Sequence, residues 1–410
     1  MAIPAMLLLL LLPILLYIFY HLTRALIKKK PTTHGLKSHP LLGHLPSFLK
    51  NRHRFLDWST ELIIASPDHR MGFWIPMMRT GIVTANPADV EHILRANFAN
   101  YPKGEHAISM LRDFLGGGLF NSDGEQWLWQ RKNASLEFTK RSLRKFVVDV
   151  VQAEVAGRLL PLLRRNAAAA GDLLDLQDVL ERFAFDTICM VAFGHDPSCL
   201  ADGGVLAEAR SDFMHKFGEA QDLIVGRFLE PIEVSWKIKK WLNVGTERHP
   251  KKAIADVHAF AMDIVRARRS QSASSLDDRV RDDVLSRFVA SDEHSDEVTY
   301  SAYAMGRLEA IWGEDCAEYR PERWLGDDGA FRPESPFRYT VFHAGLRMCL
   351  GKEMAYVQMK SIVASVLEEF VVDVDKDVAG GSVPEHVLSV TLRMKGGLPV
   401  QVRRKDGAAK

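Results

Sequence analysis

Cysteine is scarce in this sequence: Cys189, Cys199, Cys316 and Cys349 are the only four in 410 residues. They are too few and too scattered for a disulfide framework, and with no C-x-x-C pair there is no seed for a zinc site. An excess of either charge is lacking as well. With 53 basic and 52 acidic residues the net charge is +1, which rules out a polycation built for nucleic acid and an acidic disordered tail. None of the fifteen histidines shows H-x-x-x-H spacing. Neither a G-x-G-x-x-G loop nor a P-loop is present, so the chain carries no nucleotide site of its own. What is there is an ordinary globular composition, 47% hydrophobic and 26% charged, with material for a large core. No internal repeat is visible. The length allows two or three domains, yet an all-helical body of this size also folds as one.

Charge is missing altogether from Met1 to Tyr20, where Leu7 to Leu12 is an unbroken leucine run. Arg24 and Lys28, Lys29 and Lys30 follow. About 20 apolar residues span the hydrocarbon core of a bilayer as a helix. A cleavable signal peptide is the alternative, but no positive residue precedes the run and no small-x-small cleavage site follows it. Residues 1–23 therefore read as an uncleaved single-pass anchor, and the cationic cluster behind them holds the rest of the chain in the cytosol. Residues 24–46 are a basic, proline-rich connector in which Pro40 and Pro46 flank Gly43 and forbid a helix; a plain loop is the blander reading.

Further along, residues 55–66 read as a helix and the stretch to Ala85 as short strands. Asn86-Pro87-Ala88-Asp89 opens another helix with proline in its first turn. Ser122-Asp123-Gly124-Glu125 has the form of a capping box ahead of Trp127. Phe146, Val147, Val150, Val151 and Val155 recur at helical spacing, and Ala167 to Gly171 is a small-residue break. A periodic helix through Leu176, Val179, Leu180, Phe183, Thr187 and Met190 is stopped by Gly194. Ser270 to Ser275 reads as a polar loop, and Leu350 to Phe370 as a helix. Val387–Leu392 and Leu398–Val402, on either side of Gly396-Gly397, read as a hairpin. The fold class is mainly α with a minor β portion.

The stretch Phe342-His343-Ala344-Gly345-Leu346-Arg347-Met348-Cys349-Leu350-Gly351 has the pattern F-x-x-G-x-R-x-C-x-G and stands immediately before a helix. The residue types suit a thiolate metal ligand. A following helix N-terminus favours the charged sulfur, and glycines on either side let backbone approach a flat cofactor. Arg347 offers a planar fork to a carboxylate, and Phe342 shields the sulfur from water. A free buried cysteine opening a helix is the bland alternative.

This loop resembles the haem-thiolate signature of the cytochrome P-450 monooxygenases. By that resemblance Cys349 is the proximal ligand to the iron of a haem b, Arg347 partners a haem propionate, and Phe342, Gly345 and Gly351 belong to the cofactor loop. His343 is a filler there, and Leu346 stands where many members carry proline, which should loosen the loop. Trp127 and Arg131 lie four apart, hence on one helix face, and match the W-x-x-x-R that contacts a propionate. Tyr319 to Trp324 resembles the P-E-R-F/W segment, in which Arg323 joins a buried Glu–Arg–Arg cluster; an exposed charge cluster is the alternative. Three blocks, residues 43–54, Arg182 to Cys189 and Trp312 to Cys316, look like the plant clan that ω-hydroxylates fatty acids and related carboxylates. The resemblance runs along nearly the whole chain. It implies residues 47–410 as one haem-thiolate monooxygenase domain on the endoplasmic reticulum membrane, facing the cytosol. It further implies an NADPH-dependent haem-protein reductase as electron donor and a fatty-acid-like substrate. The pocket falls between Tyr101 and Phe120 and near Val390–Leu392. Lys132, Lys140, Arg141, Arg144 and Lys145 would offer the reductase a basic face, or are simply solvated.

Two features of that family are missing. The only Thr-Thr is Thr32-Thr33, so the acid–Thr–Thr element of the oxygen-activating helix is not encoded, and no glutamate has arginine three residues later. After Ser286 to Glu297 the chain passes straight to Val298-Thr299-Tyr300, a part that normally follows the E-x-x-R helix. An internal deletion with its junction near Glu297–Val298 accounts for this, so the fold is expected to lack the oxygen-side and E-x-x-R helices. No catalytic acid is assignable. Arg323 is expected to lose both partners, at a cost of about 3–5 kcal/mol for an uncompensated buried charge. The chain as written is therefore expected to be defective or poorly folded, a remnant binding haem weakly or not at all being the alternative to an active enzyme.

Overall fold

A computed structural model describes residues 34–75, 80–139, 146–169, 172–201, 205–230, 233–272, 297–375 and 384–406. The expected anchor, residues 1–23, lies outside them. Among the described residues no helix is long and apolar enough to cross a membrane. The chain divides into two compact units, one of Met1–Pro102, Leu229–Ile238 and Asp282–Cys349, the other of Lys103–Phe228, Lys239–Arg281 and Leu350–Lys410.

In the first unit the helix Phe55–Ala65 buries Trp58 and Ile63 and carries Asp57 in its first turn, where the helix dipole favours an acid. Strand Arg70–Phe73 runs antiparallel to Gly81–Thr84, with Met71 opposite Val83. Glu297–Tyr300, the strand at the inferred junction, lies parallel on the other edge of Gly81–Thr84, with Tyr300 opposite Thr84. Asn86 caps the helix Pro87–Glu91 by accepting from the Ala88 N–H at 3.0 Å. The helix then widens into a π-helical turn, His92–Ala96, that buries Ile93 and Leu94. The core gathers Ile63, Met71, Val90, Leu94, Met305, Leu308, Phe337 and Ala344. Ala344, inside the cysteine loop, is thus a core residue of this unit.

The second unit packs Phe146–Ala168, which alternates between π and α geometry, together with Leu176–Phe193 and Lys352–Glu369. Asp175 caps the second helix by accepting from the N–H groups of Gln177 and Asp178, and Gly194 ends it in the left-handed region at φ 58°. Phe146, Val151, Leu159, Val179, Phe183, Val366, Phe370, Val400 and Val402 make its main core. A second cluster of Phe114, Ala220, Ile224, Ala253, Ile254 and Val257 joins the helices Gly104–Leu115, Val205–Gly226 and Arg248–Ser272.

Three local expectations are corrected here. The Gly396-Gly397 hairpin does not form, and Val390–Leu392 is not a strand. His386–Val387 pairs with Arg393–Met394, while Pro399–Arg404 lies between Leu174–Asp175 and Phe370–Val374 in a different sheet. Burial of Val400 and Val402 against Phe370 outweighs pairing with the nearer strand. Ser270, Gln271 and Ser272 continue the helix Arg248–Ser272; residues 273–275 lie outside the described residues. The capping box is not made. The helix Gly124–Glu137 starts where expected, but its N-cap Asp123 instead accepts from the Gly104 N–H at 2.9 Å.

One buried carboxyl in this unit predicts how stability responds to pH. Glu154 is 9% exposed, with one carboxyl oxygen unpartnered. It meets Arg158 at 2.7 Å, and that guanidinium also faces Asp186 and Asp196. Burial first, opposed by Arg158 and reinforced by the two aspartates, pushes Glu154 up to about 7. A raised carboxyl stabilises the fold fully below its unfolded value, and that contribution is lost as pH climbs through about 7. The expected loss is about 3 kcal/mol. Urea midpoints between pH 5 and 8 should fall less steeply for Glu154→Gln than for the native chain; parallel profiles would refute the assignment.

Candidate haem-thiolate site

The loop Phe342–Cys349 is a closed structure. Cys349 N–H donates to the Phe342 carbonyl at 2.9 Å, Met348 N–H to Gly345 at 3.2 Å and His343 N–H to Thr340 at 2.9 Å. Gly345–Arg347 forms one 3-10 turn, so the loosening expected from Leu346 does not open the loop; Leu346 itself points to solvent. Gly345 has φ +60°, and a Cβ added there would lie 2.0 Å from the Leu94 carbonyl oxygen. The glycine is needed both for its backbone conformation and for close approach to the turn His92–Ala96. The Arg347 guanidinium lies over the Phe98 ring, 5.4 Å from its centroid. Leu94 and Phe98 were not among the residues singled out from sequence, because no local pattern ties them to a loop some 250 residues later.

Of the four cysteines, Cys349 alone is exposed. Cys189 and Cys199 are buried, and burial pushes the Cys189 thiol up to about 12. Cys316 donates weakly to the Arg307 carbonyl, at 3.5 Å. The one exposed cysteine is therefore the one the motif picks out. A soft, accessible thiol on a loop held from both ends would serve as a ligand to a haem iron, and the nearby Arg347 guanidinium would suit a carboxylate-bearing cofactor.

Gly351 is the N-cap of Lys352–Glu369, with φ −81° and ψ 6°. Any residue adopts that conformation, so backbone strain does not demand glycine there. In the second unit Trp127 and Arg131 share the helix Gly124–Glu137, with Trp127 6% exposed and Arg131 partly buried. Lys132 is exposed on that helix, whereas Lys140, Arg141, Arg144 and Lys145 lie outside the described residues. Arg323 departs from expectation. Its guanidinium donates to the carbonyls of Trp312, Asp315 and Glu318 at 3.1–3.2 Å and pairs with the Asp315 carboxylate at 3.4 Å. Local acceptors replace the absent Glu–Arg partners, so no uncompensated buried charge results.

The family model described as Cytochrome P450 matches this chain in two stretches, residues 33–298 and 293–398. Cytochrome P450 CYP94D108 of Paris polyphylla is 39% identical over 474 residues, covering 90% of this chain and 92% of that one. Cytochrome P450 94B3 of Arabidopsis thaliana is 35% identical over 505 residues, covering 97% of each. Cytochrome P450 94A1 of Vicia sativa is 33% identical over 476 residues, covering 90% of each. All three alignments are longer than the 410 residues of this chain, so each opens gaps in it. With a cysteine loop of that signature and relatives matched almost end to end, the chain belongs to the Cytochrome P450 family of haem b monooxygenases.

Proposed function

We propose that this chain derives from a monooxygenase that ω-hydroxylates a fatty acid or related carboxylate, and that it lacks most of the family's oxygen-side segment. The observation that carries the reading is the closed Phe342–Cys349 loop presenting the only exposed thiol. Cys349 is the iron ligand. Phe342 shields the sulfur, Gly345 and Gly351 shape the loop, and Arg347, Trp127 and Arg131 take the haem propionates. The roles of Trp127 and Arg131 rest on their four-residue spacing along one helix. Haem, when bound, supplies oxygen activation driven by electron donation from the thiolate.

Residues 1–23 anchor the chain in the endoplasmic reticulum membrane, 24–46 connect, and 47–410 act as one domain facing the cytosol. An NADPH-dependent haem-protein reductase supplies the electrons. The junction near Glu297–Val298 is supported by the family match, whose two stretches meet at 293–298, and by alignments that exceed the chain's length. Exposed apolar side chains point the same way. Met359, Val363 and Leu367 make a stripe along Lys352–Glu369, and Ile188 and Val191 are exposed on Leu176–Phe193, as faces that have lost a covering helix would be.

Without the acid and hydroxyl of that segment, the chain's own residues would offer no directed proton delivery on the oxygen side of the site. These observations favour a second reading for the polypeptide as written, a remnant that does not turn over. The test compares this chain with one carrying, between Glu297 and Val298, the corresponding segment of Cytochrome P450 94B3. Reduced carbon-monoxide difference spectra and reductase-dependent hydroxylation of a long-chain fatty acid are measured for both in microsomes. The restored chain is expected to show a full thiolate-type Soret band and turnover, the shorter one a weak band and none. Equal turnover by both would refute the missing-segment reading, and turnover of non-carboxylate substrates alone would refute the substrate class.

A further inference from the structure

We propose that Tyr300 is a positioning residue for the cysteine loop, clamping it through His343. The loop contains one residue whose backbone is costly. His343 has φ +56°, in the left-handed region that non-glycine residues adopt only against steric resistance. Its neighbours are fixed on both sides. The His343 N–H is tied to Thr340, Ala344 is fully buried, and Phe342 accepts from the Cys349 N–H. Something has to hold the strained residue in place, and the Tyr300 hydroxyl is hydrogen-bonded to His343 Nδ1. The two rings meet edge to face at 6.2 Å and 87°.

Tyr300 is itself firmly placed. It ends the strand Glu297–Tyr300, paired with Thr84, and the next N–H, from Ser301, donates to the Thr84 carbonyl at 2.9 Å. Its ring packs on the core that also contains Ala344. Burial pushes its phenol up to about 12, so the hydroxyl keeps its proton at neutral pH. A residue just past the inferred junction, 43 positions before its partner, thus steadies the backbone from which Cys349 hangs.

The relevance to chemistry rests on Cys349 being the iron ligand, but the clamp can be read without haem. Amide hydrogen exchange across residues 342–349 is compared in the native chain, Tyr300→Phe, His343→Gly and the double variant. Phenylalanine keeps the ring and its packing and removes only the hydroxyl. Exchange is expected to rise about fivefold in Tyr300→Phe, the size of one net hydrogen bond. In the His343→Gly background, where glycine takes the left-handed backbone without strain, the same substitution should change exchange less than about twofold. A tyrosine acting only as core packing would not be silenced by glycine at the other site. Equal acceleration in both backgrounds, or none in the native one, overturns the proposal. In the haem-loaded restored chain the thiolate-type band should decay faster in Tyr300→Phe and be spared in the double variant. Loss of that band in all four proteins would count against Cys349 as ligand and leave the exchange result to decide the clamp.

Discussion

Replacing Cys349 by alanine is expected to abolish the thiolate-type carbon-monoxide band while leaving the urea midpoint nearly unchanged. The two halves follow from one observation, the exposure of this side chain. An exposed sulfur contributes little packing, and surface substitutions away from special features stay within about 0.5 kcal/mol. Its removal deletes the single donor that the loop presents. No other cysteine is placed to substitute. Cys189 and Cys199 are buried, the Cys189 thiol sits at about 12, and Cys316 is engaged with the Arg307 carbonyl. The restored chain described above is the better host, because its band should be large enough for the loss to be measured. A thiolate band surviving in Cys349→Ala would sink the assignment of the ligand, and a large fall in the urea midpoint would show that the cysteine serves the fold.

Gly345→Ala should do the reverse, damaging fold and cofactor loop together. The new methyl carbon would lie 2.0 Å from the Leu94 carbonyl oxygen and 2.8 Å from its carbonyl carbon. Both obstacles are backbone, and Leu94 is only 6% exposed, so neither moves cheaply. The positive φ adds its own penalty. Together they are expected to cost about 3 kcal/mol or more, in the range reserved for overpacking and special backbone conformations. Gly245→Ala separates the two causes. Gly245 has the same φ of +60°, but nothing lies within 4 Å of the added carbon, so only the backbone penalty applies there. Thermal midpoints of the two variants should differ by several degrees, with the thiolate band lost only at position 345. Equal effects at both glycines would mean that Leu94 does not constrain the loop.

The Arg323 result shows how far a family likeness carries. The likeness located the residue and foretold its burial with two partners; the two partners are not in this sequence. Three carbonyls and Asp315 satisfy the guanidinium instead. A planar group with five donors accepts many partner sets, so losing one set need not leave a charge stranded.

Sequence alone determined the features that arise within a few residues of one another. Apolar spacing located the helices around Phe146–Val155 and Leu176–Phe193, Asn86-Pro87 marked one helix start, and Gly194 marked a stop. The F-x-x-G-x-R-x-C-x-G loop named the candidate ligand, and the missing E-x-x-R and Thr-Thr elements suggested the junction proposed near Glu297–Val298, where the family match divides into two stretches. Tertiary structure decided the rest. It chose Phe370–Val374, not the nearer Val387, as partner for Pro399–Arg404. It set Leu94 against Gly345 and brought Tyr300 to His343. Helix periodicity and capping are short-range, since each turn interacts with the next, and a sequence displays them directly. Strand partners, close backbone approaches and clamps join residues far apart in the chain, and which pairs form depends on how the whole core fills its space.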